Sequence, residues 1–357
     1  MIKFSHIMKK YGENTPIKDI NGEIKTGEVI SIIGPSGTGK STLLRMINGL
    51  EKPTSGKVFV DDIEVNDKNI SEITRKVGMV FQNYNLFNHL TVIENLMIAQ
   101  VEILKRDKQT AYDKSIKLLK EVRLLDKENS YPNELSGGER QRIAFARTLA
   151  MDPEVLLLDE PTAALDPKLV DEIKGLILKY ARTGKTVLLV AHSMQLARDV
   201  STRVFFLNEG IIYEEGTPNQ IFDNPQKEKT QSFINSQNAI EFKIDKTFNF
   251  TNDSIALAEF CLKHNAYLKL VNKALLIFEE IIEQILFTKY ESPDIKVRVD
   301  YKNEFITMNI KYKGERFNIK DSNNDISIKL VEGLATNIDY SYNENDEYGN
   351  KVEIKIN

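Results

Sequence analysis

Residues 34–42 read Gly34-Pro35-Ser36-Gly37-Thr38-Gly39-Lys40-Ser41-Thr42. Glycines at this density let the backbone curl until several N–H groups point at one anion. The run Val29-Ile30-Ser31-Ile32-Ile33 before it has the composition of a buried strand, and Leu43-Leu44-Arg45-Met46-Ile47 after it that of a helix. A helix starting at the loop adds partial positive charge at the same spot. From here Lys40 can reach β- and γ-phosphates, and Ser41 can place its hydroxyl on Mg²⁺. A glycine-rich turn can hold Gly-Lys-Ser by accident, but the flanking strand and helix make this a complete Walker A loop. The chemistry implied is binding of a nucleoside triphosphate.

Two further constellations lie downstream. Leu135-Ser136-Gly137-Gly138-Glu139 precedes Arg140-Gln141-Arg142-Ile143-Ala144-Phe145-Ala146-Arg147. Ser136 and Glu139 have the spacing of a helix capping box. A cap alone does not call for two successive glycines, which leave the helix start bare enough for a phosphate to approach. Two such helix starts in one chain imply two nucleotide contacts. Next, Val155-Leu156-Leu157-Leu158 ends in Asp159-Glu160, the Walker B form. Asp159 can hold the Mg²⁺ shell, and Glu160 can orient or deprotonate water. Strands ending in acidic residues are common; this one gains weight from the two motifs before it. The apolar run 186–190 then delivers Ala191-His192. A histidine after a strand is usually structural. This one is expected on the sheet edge that carries Asp159 and Glu160, where a γ-phosphate would lie.

Bringing these groups together requires a parallel sheet with all the loops at one edge. Residues 1–75 read as a β-rich start around the Walker A strand and helix, and residues 91–127 as a helical insertion. Residues 136–151 form one more helix, and strands alternate with helices up to Phe206. This is an α/β P-loop NTPase core with a helical subdomain at about 84–152. The polar stretch 224–238 reads as the domain exit. Beyond residue 240 only Gly314, Gly333 and Gly349 remain of 18 glycines. There the periodicity predicts a strand over 241–250, helices over 254–264 and 270–290, and strands over 295–301 and 305–312. A helix over 326–335 and strands over 337–342 and 351–356 follow. That order is a smaller α+β sandwich. The expected domains are therefore 1–238 and 239–357.

Composition narrows the classes. A formal net charge of −4 over 357 residues gives no basic surface for nucleic acid. Residues 241–357 carry 16 Lys and Arg against 20 Asp and Glu, so the second domain holds the imbalance. The single cysteine, Cys261, excludes an intramolecular disulfide and fits a reducing compartment. Its apolar neighbours Ala258, Phe260 and Leu262 make it a small core residue. No apolar run nears the ~18 residues of a membrane span. The start Met1-Ile2-Lys3-Phe4-Ser5 reads as a strand and not as a signal peptide.

Taken together, these motifs resemble the ATPase subunit of ABC transporters over about residues 1–238. The resemblance implies that Tyr11 stacks on adenine and that Gln82 is the Q-loop glutamine, touching Mg²⁺ and water and sensing the membrane partner. It implies that Leu135 to Glu139 is the signature motif. Ala164-Leu165-Asp166 is then the D-loop, and His192 the switch histidine. Phe81-Gln82, Asn85-Leu86-Phe87-Asn88-His89-Leu90-Thr91-Val92 and Tyr131-Pro132 are similar to the polar amino acid importer branch. So are Glu214-Glu215-Gly216-Thr217-Pro218 and Ile221-Phe222-Asp223-Asn224-Pro225. Three departures stand out. Asn21-Gly22 replaces an apolar pair, Glu139 stands where glutamine is common, and Ala191 where threonine is common. The last two remove no phosphate or metal ligand, so a competent ATPase is expected.

The second domain resembles the ATP-binding fold of histidine kinases and anti-sigma-factor kinases. The resemblance rests on element order and on the stretch from Lys329-Leu330-Val331 through Tyr340 to Ile354. Gln284 stands near that family's metal-binding asparagine. The carboxylate that reads adenine is missing at Tyr312-Lys313-Gly314, and so is a glycine-rich lid. A degenerate relative without a nucleotide site is implied; an unrelated α+β regulatory domain is the alternative.

What the resemblance implies for the whole is an importer's ATP-hydrolysing subunit, with ATP and Mg²⁺ as cofactors. Two copies would clamp ATP between Walker A of one and Ser136-Gly137-Gly138 of the other. Transmembrane permease subunits and an extracellular solute-binding protein would complete the system. The subunit would sit peripherally on the cytoplasmic face of a bacterial membrane, with no nucleic acid partner. Two other readings compete. Ribosome or DNA-repair members carry two cassettes or long coiled coils, which this chain lacks. An exporter or lipoprotein-release ATPase is the other.

Overall fold

The structure is a computed structural model that describes residues 1–162, 167–237, 239–264, 266–302 and 305–357. The chain packs as two units, Met1–Phe233 and Ile234–Asn357.

The first unit opens with β1 (Ile2–Tyr11), β2 (Asn14–Ile24), β3 (Val29–Ile33), α1 (Lys40–Ile47), β4 (Ser55–Val60), β5 (Ile63–Glu64), α2 (Ile70–Lys76) and β6 (Val77–Val80). The helical insertion follows as α3 (Val92–Glu102), α4 (Lys108–Glu121) and α5 (Gly137–Ala150). Then come β7 (Val155–Asp159), α6 (Pro167–Ala181), β8 (Thr186–Val190), α7 (Met194–Val200), β9 (Arg203–Asn208), β10 (Ile211–Gly216), α8 (Pro218–Phe222) and α9 (Glu228–Gln237), whose last residues from Ile234 on belong to the second unit.

A six-stranded sheet runs β10-β9-β3-β8-β7-β6. All neighbours in it are parallel except the β10–β9 pair. Every residue of β3, β7 and β8 is buried, which is why these strands read as unbroken apolar runs and not as alternation. A parallel sheet sets its strand ends on one edge, so the residues after β3, β7 and β8 share a crevice. The second sheet, β2-β1-β4-β5, is antiparallel. There Asn21 earns its place: its Oδ1 accepts the His6 N–H at 2.8 Å, where His6 takes a left-handed φ of 48° at a register shift. The helical insertion has its own core of Val92, Leu96, Leu118, Leu119, Leu135 and Ile143.

The stretch 224–238, read from sequence as a polar exit, is helical over Glu228–Gln237. Two apolar residues hold it: Ile234 is buried, and the Phe233 ring lies 5.1 Å from that of Phe206.

The second unit continues with β11 (Ala239–Ile244), α10 (Phe250–Lys263) and α11 (Leu268–Glu279). A π-helical segment, Glu280–Leu286, joins α11 to α12 (Phe287–Lys289). β12 (Ile295–Lys302), β13 (Phe305–Tyr312), α13 (Asp325–Leu334), β14 (Asn337–Tyr342) and β15 (Asn350–Ile356) complete it. The sheet order is β11-β12-β13-β15-β14, antiparallel throughout. The strand expected over 241–250 stops at Ile244. Asp245 accepts from the Thr247 N–H and hydroxyl, and Asn249 caps α10, so the polar residues turn the chain. Phe248 and Phe250 then pack on Phe278, 6.3 and 6.1 Å away between ring centres. Cys261 lies wholly buried in this core, and burial pushes its thiol up to about 12.

Candidate active site

The loop between β3 and α1 is shaped by three glycines at positive φ, Gly34, Gly37 and Gly39. Gly34 has φ 145°, and a Cβ there would fall 2.1 Å from the Leu207 carbonyl oxygen, so only glycine fits. Gly39, at φ 88°, precedes the first residue of α1. Lys40 is 6% exposed and donates to the carbonyls of Gly34 and Pro35, both at 2.8 Å. Burial pulls its ammonium below the usual lysine range, and the charges of Glu160 and Asp159 oppose that shift. Thr38 closes the loop by donating to Pro35 O at 2.9 Å. Ser36, Gly37 and Thr42 lie on the same loop and first turn. Tyr11 ends β1 with 47% of its surface exposed, and Lys9 Nζ sits 4.8 Å from its ring centre.

The ends of β7 and β8 meet this loop. Ser41 Oγ donates to Asp159 Oδ1 at 2.6 Å, and Arg45 Nη2 stands 3.5 Å from Asp159 Oδ2. Glu160 holds φ at 52°, a left-handed conformation that costs a side-chain-bearing residue energy. Its N–H donates to Val190 O at 3.2 Å, which ties it to the end of β8. Its carboxylate meets His192 Nε2 at 2.7 Å. His192 is half-exposed, with 49% of its side chain accessible. Lys40, Ser41, Asp159, Glu160 and His192 thus form one connected site.

Ser136 caps α5 in a full capping box with Glu139. The Ser136 backbone N–H holds the Glu139 carboxyl below its usual range, against a smaller opposing effect of burial. Gly137 and Gly138 occupy the first turn; a Cβ on Gly138 would meet Leu169 Cδ1 at 2.3 Å. Gln82 is exposed just past β6. Tyr84 and Asn85 follow it, with left-handed φ values of 61° and 51°. Two arginines of α5 brace that turn, a feature the sequence reading missed. Arg147 donates to Asn85 O at 2.6 Å and to Tyr84 O at 3.1 Å, and Arg140 lies 5.6 Å over the Tyr84 ring. Their seven-residue spacing, which puts both on one helix face, was the only available signal. Among the described residues, no hydrogen bond or ion pair joins Ser136–Glu139 or Gln82 to the Lys40–Asp159 cluster. Asp166, with Ala163, Ala164 and Leu165, lies outside the described residues.

The sequence profile described as ABC transporter matches residues 17–163. The chain is 44% identical over 236 residues to the arginine transport ATP-binding protein ArtM of Bacillus subtilis, covering 66% of this chain and 98% of ArtM. It is 45% identical over 236 residues to the glutamate/aspartate import ATP-binding protein GltL of Escherichia coli, with the same coverage of 66% and 98%. Among solved structures, the dimeric post-hydrolysis state of the ATP-binding cassette MJ0796 bound to ADP and Pi aligns with a TM-score of 0.58. Identity there is 38%, over 61% of this chain and 99% of that one. A Walker A loop, its acidic partner strand and identity of this order along nearly the whole of these relatives leave one conclusion. The chain belongs to the ABC transporter family, as an ATP-binding subunit whose ATP hydrolysis is coupled to transport.

Proposed function

We propose that this subunit powers uptake of a polar amino acid, working in pairs beneath a transmembrane permease supplied by an extracellular solute-binding protein. The observation that carries the reading is the set of names borne by its relatives. Proteins for arginine, glutamine and glutamate/aspartate transport match at 43–45% identity over 98% of their length. Among the described residues no helix is long and apolar enough to cross a membrane. In this reading the subunit works peripherally, on the cytoplasmic face, through its permease.

The site residues take the following roles. Each ATP lies between the Gly34–Thr42 loop of one copy and Ser136–Glu139 of the other, with Tyr11 against adenine and Asp166 at the contact between copies. The dimeric MJ0796 cassette supports this pairing. Ser41 Oγ and Asp159 Oδ1, 2.6 Å apart, are hard oxygen donors of the kind Mg²⁺ takes, with Gln82 as a third. When bound, Mg²⁺ neutralises charge across the β- and γ-phosphates. Glu160 orients the attacking water and accepts its proton; His192 holds the Glu160 carboxylate and faces the γ-phosphate.

Domain 239–357 is an accessory or dimer-contact module of degenerate histidine-kinase type, without an adenine pocket. Tyr312, where that fold would carry its carboxylate, is buried and donates its hydroxyl proton to Phe317 O at 2.5 Å. The Tyr290 ring packs 6.2 Å from Tyr312 and 6.3 Å from Phe317.

Two measurements test the proposal. Glu160→Gln should retain ATP, accumulate as a dimer on gel filtration and hydrolyse ~10²–10⁴-fold more slowly; a wild-type rate would remove Glu160 from the mechanism. Cells lacking the subunit should lose uptake of at least one of radiolabelled arginine, glutamine or glutamate. Normal uptake of all three would overturn the solute class while leaving the ATPase assignment intact.

A further inference from the structure

The five-stranded sheet of the second unit turns one face to its own helices and the other to solvent. On the open face the strand register sets Lys243, Lys296, Lys311 and Lys351 side by side across four adjacent strands. Neighbouring strands are only about 4.8 Å apart. Like charges directly opposite one another in a sheet are destabilising. Part of the repulsion is relieved locally. Lys351 pairs with Asp346 at 2.5 Å, and Lys296 lies 4.3 Å over the Tyr348 ring. Lys243 and Lys311 have no ion-pair partner within 4 Å among the described residues and both are exposed, with Asp245 and Asp294 acting on Lys243, and Asp346 on Lys311, only from farther off. The adjacent Arg298 is already committed, with Glu241 and Asp300 each at 2.8 Å.

Over this row opens a cavity of about 490 Å³, lined by Glu241, Lys243, Lys296, Arg298, Asn309 and Lys311. That volume lies in the range of small-molecule sites. Its walls carry four cations and one carboxylate; Arg298 is shared between that carboxylate and Asp300, so the positive charge facing the cavity comes from Lys243, Lys296 and Lys311. Phe242 and Val297, at the floor, belong with their side chains to the core on the other face, so nothing here stacks on a base.

We propose that this cavity binds a small soluble anion carrying two or more phosphate-type charges. Lysine ammonium groups are compact point charges suited to phosphate oxygens. The planar arginine fork that recognises carboxylates in two-point fashion is occupied by Asp300 and Glu241. An anion seated among Lys243, Lys296 and Lys311 converts their mutual repulsion into attraction, so the row costs stability when empty and returns it on binding. The site lies on the face away from the helices and needs neither an adenine pocket nor the cassette.

The test uses the full-length chain and inorganic pyrophosphate, titrated calorimetrically without divalent metal. Lys40→Ala, which disables the Walker A loop, should still take one pyrophosphate per chain. Adding Lys243→Ala and Lys311→Ala should weaken that binding at least ~10-fold, since two ligand-facing charges are lost. In the otherwise native chain the same lysine pair should leave ATPase activity unchanged and unfold at an equal or higher temperature. Tripolyphosphate should bind Lys40→Ala at least as tightly as pyrophosphate, because the site reads phosphate charge alone. Should Lys40→Ala fold poorly, the native-loop chains with and without the lysine pair should differ by the same ~10-fold in the affinity of one pyrophosphate per chain. Affinity that ignores the lysine substitutions overturns the proposal. So does citrate binding more tightly than pyrophosphate. Binding to anionic vesicles or oligonucleotides without pyrophosphate binding overturns it too.

Discussion

Glu139 carries the charge of its helix start as well as its cap. Its folded-state carboxyl titrates below the ordinary value because the Ser136 N–H donates to it. A lowered carboxyl contributes stability that is fully present above the unfolded value of about 4.3. That contribution is lost as pH falls through the folded value. Glu139→Gln keeps the capping box but cannot titrate. The wild type should therefore unfold at higher temperature than Glu139→Gln at neutral pH, and the difference should begin to shrink near pH ~4.3 and vanish only once the pH has fallen through the lower folded value. Calorimetry from pH 7 downward reads this directly; a constant difference would show that the charge contributes nothing. Ser136→Ala, which removes the cap itself, should cost about 1 kcal/mol at any of these pH values.

At the scale of elements, α5 does more than carry the capped start at Ser136–Glu139. Through Arg147 it grips the backbone of Tyr84 and Asn85, two residues held left-handed right after Gln82. Burial pulls the Arg147 guanidinium below its usual range, so its two carbonyl partners offset a desolvation cost. Lysine in its place keeps the charge but not the planar fork. Arg147→Lys should lower kcat for ATP by ~10–100-fold through misplacement of Gln82, with KM for ATP unchanged. An unaltered kcat in a folded variant would leave Arg147 a purely structural brace. This link shows where sequence reading stops. The strand–loop–helix grammar around Lys40 and the capping box at Ser136 are local, and local rules suffice to find them. The Arg147 contact spans 62 residues and depends on how α5 lies against the turn after β6. Nothing in the residue pattern reports that distance. Likewise, alternation alone ran the strand on from residue 241 to 250, whereas the Asp245 and Asn249 side chains end it at Ile244.

At the scale of the whole molecule, the apolar residues around Gln82 have divided fates. Phe81 packs into the central core and Leu86 into that of the helical insertion. Phe87 stays 45% exposed, with the His89 ring 6.0 Å away and Arg147 5.6 Å over its face. A permease helix docking at Gln82 would meet Phe87 first. Phe87→Glu should abolish co-purification with the permease while ATP binding by the free subunit persists, as read by pull-down and fluorescence titration. Copurification at the wild-type level would move the docking surface elsewhere. The α/β core and the order of elements in the second unit were legible because each element carries its own period. The lysine row was not, because only the pairing of β11, β12, β13 and β15 aligns residues that stand far apart in the chain.

Cys261 has a practical consequence for watching the subunit at work. Thiol-directed dyes and spin labels react with thiolate, and this thiol is both shut away from solvent and held far from ionising at neutral pH. With no other cysteine in the chain, the native protein is chemically silent to maleimides. A cysteine introduced at an exposed position would become the sole attachment point without first stripping the background. Spectroscopic rulers placed in this way could follow two copies closing on ATP and parting after hydrolysis in the otherwise native sequence.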